Sequence, residues 1–151
     1  MMRRALALLL VPASLALAAD CPWLNTATAS GLLGGAAVLH YDGASDAESG
    51  VCDFMREAGK TVVADLRIEI NAGRASRASL VADPRLRDAR KKELRGMGNE
   101  AWSVPASGGG EWVIGRVRGT AFAIRARTGT DEKAAEAAAL KAGELVVGNL
   151  F

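Results

Sequence analysis

Cys21 and Cys52 are the only cysteines of the 151-residue chain, and theirs is the chemistry easiest to place. A redox dithiol uses the short C-x-x-C spacing, which this pair lacks. Bonded to each other, they would close a loop of about 32 residues, worth about 3.7 kcal/mol on the chain-entropy account. We therefore expect a structural disulfide, with free thiols, metal ligation or cross-chain pairing as the alternatives. His40 is the single histidine. One histidine cannot build a multi-histidine metal site. Asp42 and Asp46 stand near it in sequence, but no G-x-S-x-G elbow supplies a nucleophile. A strand-end position accounts for His40 without catalysis.

Gly96, Gly98 and Ala101 match G-x-G-x-x-A, the dinucleotide fingerprint. That motif must follow a strand and open a helix. Here it follows an expected helix and leads towards a strand, so capping and turning explain its glycines better, and no cofactor is expected. Trp23, Trp102 and Trp112 are accounted for by core or edge packing. Trp112 is also a candidate binding residue together with Arg116, because its strand face carries arginines. Aromatic content of 5% argues against a sugar-stacking platform.

The remaining candidate is electrostatic. From Arg74 to Arg95 run eight basic and three acidic residues, a net of +5. If this stretch is helical, Arg87, Lys91, Lys92 and Arg95 point away from Leu86 and Leu94 and present a basic face. An anionic envelope component would suit that face. An ordinary solvated helix with pairs such as Asp88 and Lys92 explains it too.

The elements that position these residues begin after a leader. Arg3 and Arg4, the apolar run from Ala5 to about Leu17 and the small residues Ala16-Leu17-Ala18 form a secretory signal. The run is shorter than the roughly 20 residues of a membrane span and is broken by Pro12 and Ser14. Residues 1–19 are expected to be cleaved. Asp20 before Cys21, and no leucine three residues before it, argue against lipid attachment. All 17 acidic residues follow the leader while Arg3 and Arg4 leave with it, so the mature net charge is about zero. No nucleic-acid partner and no transmembrane segment of the mature chain are expected.

A single disulfide-clamped domain over 20–151 suits this length. Pro22 to Leu33 reads as a helix capped by Asn25 or Thr26 and ended by Gly34-Gly35. Strands follow over 36–41 and 51–57. Thr61 to Asn71 is the clearest element: Val62, Ala64, Leu66, Ile68 and Ile70 alternate with Val63, Asp65, Arg67, Glu69 and Asn71, a strand with one buried face. Asp65 and Glu69 then sit on the solvent face, where salt bridges explain them better than acid–base work. Asp83-Pro84 starts the expected helix to about Arg95. A short strand covers 100–104. A hairpin covers 111–127, its two-residue turn at Arg118-Gly119 setting Val117 against Thr120, Gly115 against Phe122 and Val113 against Ile124. The other hairpin face is only partly polar and needs partial cover. Thr130 caps a last helix with the stripe Ala135, Ala139, Ala142, Val146 and Leu150. The fold expected is α+β: an antiparallel sheet of about six strands packed by helices, in the order α-β-β-β-α-β-β-β-α.

Several landmarks group together: Cys21-Pro22-Trp23-Leu24-Asn25, Leu32-Leu33-Gly34-Gly35, Cys52-Asp53-Phe54, Gly96-Met97-Gly98-Asn99-Glu100-Ala101 and the hairpin around Gly119-Thr120-Ala121-Phe122. Together they resemble an uncharacterised family of exported bacterial envelope proteins, best known as actinobacterial lipoproteins. The family has a cysteine, a helix ending in Leu-Gly-Gly, a second cysteine before an aromatic, then Gly-x-Gly-Asp-Glu-Ala. This chain lacks the lipid-attachment site and carries Asn99 where Asp is usual. The resemblance implies the disulfide and a sheet packed by helices. It implies no chemistry. The expectation is a secreted or periplasmic, non-enzymatic domain that binds a partner protein or an envelope component. A carrier of a small apolar ligand between sheet and helix, and an enzyme of unrecognised class, are the alternatives.

Overall fold

The computed structural model describes residues 20–43, 48–73 and 75–151. The expected leader over 1–19, Asp46 and Arg74 lie outside them. Helix α1 spans Thr26–Leu32, with Asn25 as cap: its side chain accepts from Thr28 N at 2.8 Å. It ends where Gly34 takes the left-handed φ of 72° and Gly35 N–H returns to Ser30 O at 2.9 Å. Strands β1 Val38–Gly43, β2 Gly50–Ala58 and β3 Thr61–Ala72 form a meander. A short α2, Arg77–Val81, and a 3-10 turn, Pro84–Arg87, come next. Strands β4 Lys92–Leu94, β5 Glu100–Pro105, β6 Glu111–Val117 and β7 Thr120–Thr128 form a second meander, and α3 Glu132–Asn149 closes the chain. The two meanders join through β3 and β7. One antiparallel sheet of seven strands results, in the order β1-β2-β3-β7-β6-β5-β4.

The α+β class and the antiparallel sheet are as expected; the strand count and part of the order are not. The expected helix over 83–95 is instead the 3-10 turn, an extended passage at Asp88 and the edge strand β4. Its two leucines explain the difference. Leu86 packs in a small cluster on one face of the sheet, and Leu94 packs against the main core on the other. A helix would place both on one side; an extended chain passing the sheet edge divides them. The basic helical face formed by Arg87, Lys91, Lys92 and Arg95 therefore does not exist. The cap of α3 is Asp131, whose side chain accepts from Ala134 N at 3.0 Å, rather than Thr130.

The main core lies between the sheet and the helices α1 and α3. Phe54, Leu66, Ile68, Val113 and Ile124 meet Ala138, Ala139, Ala142 and Val146 there, all buried. The small residues of α3 let the helix backbone approach the sheet closely. The hairpin register is the expected one, with Gly115 opposite Phe122. A Cβ on Gly115 would stand 2.6 Å from Phe122 Cζ and also against the Glu100 carbonyl oxygen. Gly115→Ala is therefore expected to destabilise the protein by about 1–3 kcal/mol, the cost of overpacking a filled core. A lower denaturant midpoint at unchanged slope would show it; an unchanged midpoint would mean that β5 and β6 separate freely.

Candidate binding cleft

The sheet's second face is built from the residues that alternate with the core. On β3 these are Asp65, Arg67, Glu69 and Asn71. Across β2, Asp53 stands opposite Arg67 and Val51 opposite Glu69; across β7, Arg125 stands opposite Arg67 and Arg127 opposite Asp65. Arg67 and Arg125 directly across from each other would repel. Interleaved acids resolve this. Arg67 donates to Asp53 at 2.7 Å and to Glu69 at 2.8 Å, while Arg125 and Arg127 both donate to Asp65, at 2.8 and 2.7 Å. Asp65 is 6% exposed, so this is not the solvent face expected for it. A carboxylate between two arginines can be covered because its charge is matched.

Over β5, β6 and β7 this face is roofed by α2 and the 3-10 turn. Leu80 and Leu86 pack on Val104, Ile114 and Ala123, with half-buried Trp102 and Trp112 at the margin. This is the cover that the partly apolar hairpin face calls for. Ser76 caps α2 by accepting from Ser79 N at 3.0 Å. Asp83 caps the 3-10 turn by accepting from Arg85 N at 2.9 Å. The Arg85 side chain then folds back over the sheet. It donates to Asp83 at 2.7 Å and to Glu69 at 3.2 Å, and its guanidinium lies 4.4 Å from the Trp112 ring centroid. Arg125 approaches the same ring at 5.7 Å. Burial pushes the Asp83 carboxyl upward, but the side-chain and backbone hydrogen bonds from Arg85 prevail and hold it below its ordinary value. Arg85 is held above its own, because Asp83 and Glu69 outweigh its burial.

The roof stops short of β2 and β3. Between it and those strands a half-open cleft of about 720 Å³ remains. Its floor carries Arg67 and Glu69, its roof Asp83 and Arg85, and its inner wall is apolar through Leu80 and Ile114.

The expected site residues fall elsewhere or serve structure. Cys21 and Cys52 are bonded, with Cα atoms 6.0 Å apart. His40 is exposed on the edge strand β1. Trp23 is buried and meets Tyr41 edge-on, with centroids 6.1 Å apart. Lys91 donates to Leu86 O at 2.8 Å and Lys92 pairs with Glu136 of α3 at 3.1 Å, while Arg87 and Arg95 are exposed. Trp112 lies under Arg85, whereas Arg116 pairs with Glu100, which also holds Arg77 of α2. These six residues do not converge on one surface. Gly96 and Gly98 take left-handed φ values of 78° and 66° in the turn between β4 and β5; no helix precedes them to cap. Asn99 ties that turn to the hairpin, its Oδ1 accepting from Arg118 N at 2.6 Å. Among the described residues, no group of three or more His, Cys, Asp or Glu side chains is gathered to hold a metal ion.

Asp83 and Arg85 were not among the candidates. The Asp-Pro start is visible in the sequence, but one turn and thirteen residues of helix look alike at their first residues. A second polar cluster sits on the other face at the β5–β6 edge, where Ser103 donates to the buried Glu111 at 2.7 Å. Burial raises the Glu111 carboxyl above its ordinary value, against the hydrogen bond from Ser103. A carboxyl raised by folding favours its neutral form, so its penalty is absent below the unfolded value, about 4.3, and complete once pH exceeds the folded value. Glu111→Gln should therefore raise stability at pH 7, and the gain should vanish below about pH 4. Urea midpoints at both pH values would show it; a loss at pH 7 would give the carboxylate a stabilising partner.

Comparison with family models, curated proteins and solved structures found no match to this chain.

Proposed function

We propose that this chain is an exported, non-enzymatic binding domain whose ligand seat is the cleft between β2–β3 and the α2–3-10 roof. The observation that carries the reading is the cleft itself. Its volume of about 720 Å³ falls in the range of small-molecule sites, and one cavity joins an apolar wall to a few fixed charged groups. A carrier site between sheet and helix is less favoured, because that space is filled by Ile68, Ile124, Ala139 and Val146, each at 0% exposure. The charged groups suit holding better than proton transfer. Asp83 is kept ionised by Arg85, whereas a general acid or base works best with a value near the working pH. The buried Cys21–Cys52 bond suits an oxidising compartment. No helix among the described residues is long and apolar enough to cross a membrane.

The test is native mass spectrometry of the protein isolated from its own envelope under mild conditions. Ala82 is exposed at the roof, so Ala82→Trp should fill the cleft mouth with less than about 0.5 kcal/mol of change in stability. Bound adducts on the wild type that Ala82→Trp loses would support the reading. Adducts equal on both, or absent from both, would reject the cleft as the seat. His40→Ala should leave stability and any screened activity unchanged, since the side chain is exposed on the sheet edge; an activity lost with folding intact would overturn the non-enzymatic reading.

A further inference from the structure

The charges of the cleft are balanced, and the balance restricts what can bind. Arg67 and Arg85 are matched there by Glu69 and Asp83. The four are linked in one chain: Arg67 to Glu69, Glu69 to Arg85, Arg85 to Asp83. Such a site has no net charge to attract a simple anion or cation. An anion brought to Arg67 also meets Glu69, and a cation brought to Asp83 also meets Arg85. The site does have separated poles. A ligand carrying both charges can set its carboxylate on the guanidiniums and its ammonium on Glu69, so that neither charge is left unmatched.

Hydrogen-bond capacity is available for this. A guanidinium has five N–H donors. Arg67 engages one through Nε and one through Nη1; Arg85 shares its Nε–H between the two Asp83 oxygens and engages Nη1 and Nη2 once each, so the Asp83 oxygens are already filled. Three donors of Arg67 and two of Arg85 are left over. Each Glu69 oxygen accepts one bond, which leaves it a second lone pair. The existing ion pairs hold these groups in place before a ligand arrives, which lowers the ordering cost of binding. Beside them Val51, Pro84 and Ala121 offer apolar surface, backed by the buried Leu80 and Ile114.

Resting on the cleft as the binding seat, we infer that its ligand is a zwitterion with an apolar body: a free apolar amino acid or a short apolar peptide. The carboxylate meets Arg67 and Arg85, the ammonium meets Glu69, and the side chain lies on Val51 and Pro84.

Calorimetric titration of the disulfide-bonded mature protein tests this without depending on a variant. Leucine, Leu-Leu and Leu-Leu-Leu are compared with 4-methylpentanoate, which lacks the ammonium, with leucinamide, which lacks the carboxylate, and with glycine, which lacks the apolar body. At least one of leucine, Leu-Leu and Leu-Leu-Leu should bind about tenfold or more tighter than each of the three analogues, the loss expected when a charge-assisted hydrogen bond or a buried isobutyl group is missing. The best of the three lengths separates amino acid from peptide as the source. Ala82→Trp should abolish binding, and Arg85→Gln should weaken it about tenfold or more if circular dichroism shows it folded. Binding of 4-methylpentanoate, leucinamide or glycine as tight as the best of leucine, Leu-Leu and Leu-Leu-Leu would overturn the inference, as would no binding by any of those three. If native adducts occupy the wild type and not Ala82→Trp while no zwitterion binds, the ligand class falls and the seat stands. If adducts are absent too, both fall.

Discussion

Ile68→Ala is expected to lower the unfolding free energy by about 2–5 kcal/mol, while its neighbour Arg67→Ala costs about 1 kcal/mol. The two differ because β3 lies at the centre of the sheet and divides its side chains between two environments. Ile68 is fully buried in the main core and pairs with Cys52 on β2 and Ile124 on β7, so truncation leaves a cavity with rigid walls. Arg67 points to the other face with its side chain 34% exposed, and water can replace it as donor to Asp53 and Glu69. Asp65 should break the simple rule that outward means tolerant. Asp65→Ala strips Arg125 and Arg127 of their shared acid at a site 6% exposed, for an expected loss of about 2–3 kcal/mol, discounted because both arginines reach solvent. Urea midpoints of the three variants give the order directly. Arg67→Ala as the most damaging would mean a register displaced by one residue.

That division of β3 was legible in the sequence, because a strand's period of two is written in adjacent residues. The hairpin register was legible for a similar reason: Arg118-Gly119 fixes the turn, and every pair follows from it. What the outer face would become was not legible. Asp65 and Glu69 read as solvent-facing because nothing local says that Arg125 and Arg127 cover the first and Arg85 of the roof reaches the second. The roof comes from residues 77–87, and its contacts with Ile114 and Ala123 span dozens of residues. The segment over 83–95 failed on the same ground. Leu86 and Leu94 fit one helical face, and only the existence of a second apolar cluster across the sheet makes the extended path better. The cleft is what remains where that roof ends, so its four charged residues carry no shared motif. Arg67 and Glu69 announce a strand face; Asp83 and Arg85 announce a turn.

Removing the disulfide is expected to cost about 2–5 kcal/mol and to act first on one part of the molecule. Cys21 and Cys52 are 31 positions apart, so the bond constrains the unfolded chain substantially. Its native setting adds to this, since Cys52 is fully buried and Cys21 is 6% exposed, both within the main core. The bond also anchors the N-terminal segment to β2. Otherwise that segment is held by Trp23, Leu24, Ala29 and Leu33 in the core, by Asn149 Nδ2 donating to Trp23 O at 2.9 Å, and by Arg56 donating to Gly34 O at 3.3 Å. In the double variant Cys21→Ala/Cys52→Ala, amides of residues 26–35 should exchange much faster, while those of β3 and β7 at the sheet centre should follow the global stability alone. A lower urea midpoint together with this gradient in exchange is the expected result. An unchanged midpoint would show that side-chain packing alone holds α1. A uniform rise in exchange across α1, β3 and β7 would show that the helix and the sheet open only together, the bond then acting through the unfolded chain and not as a local anchor.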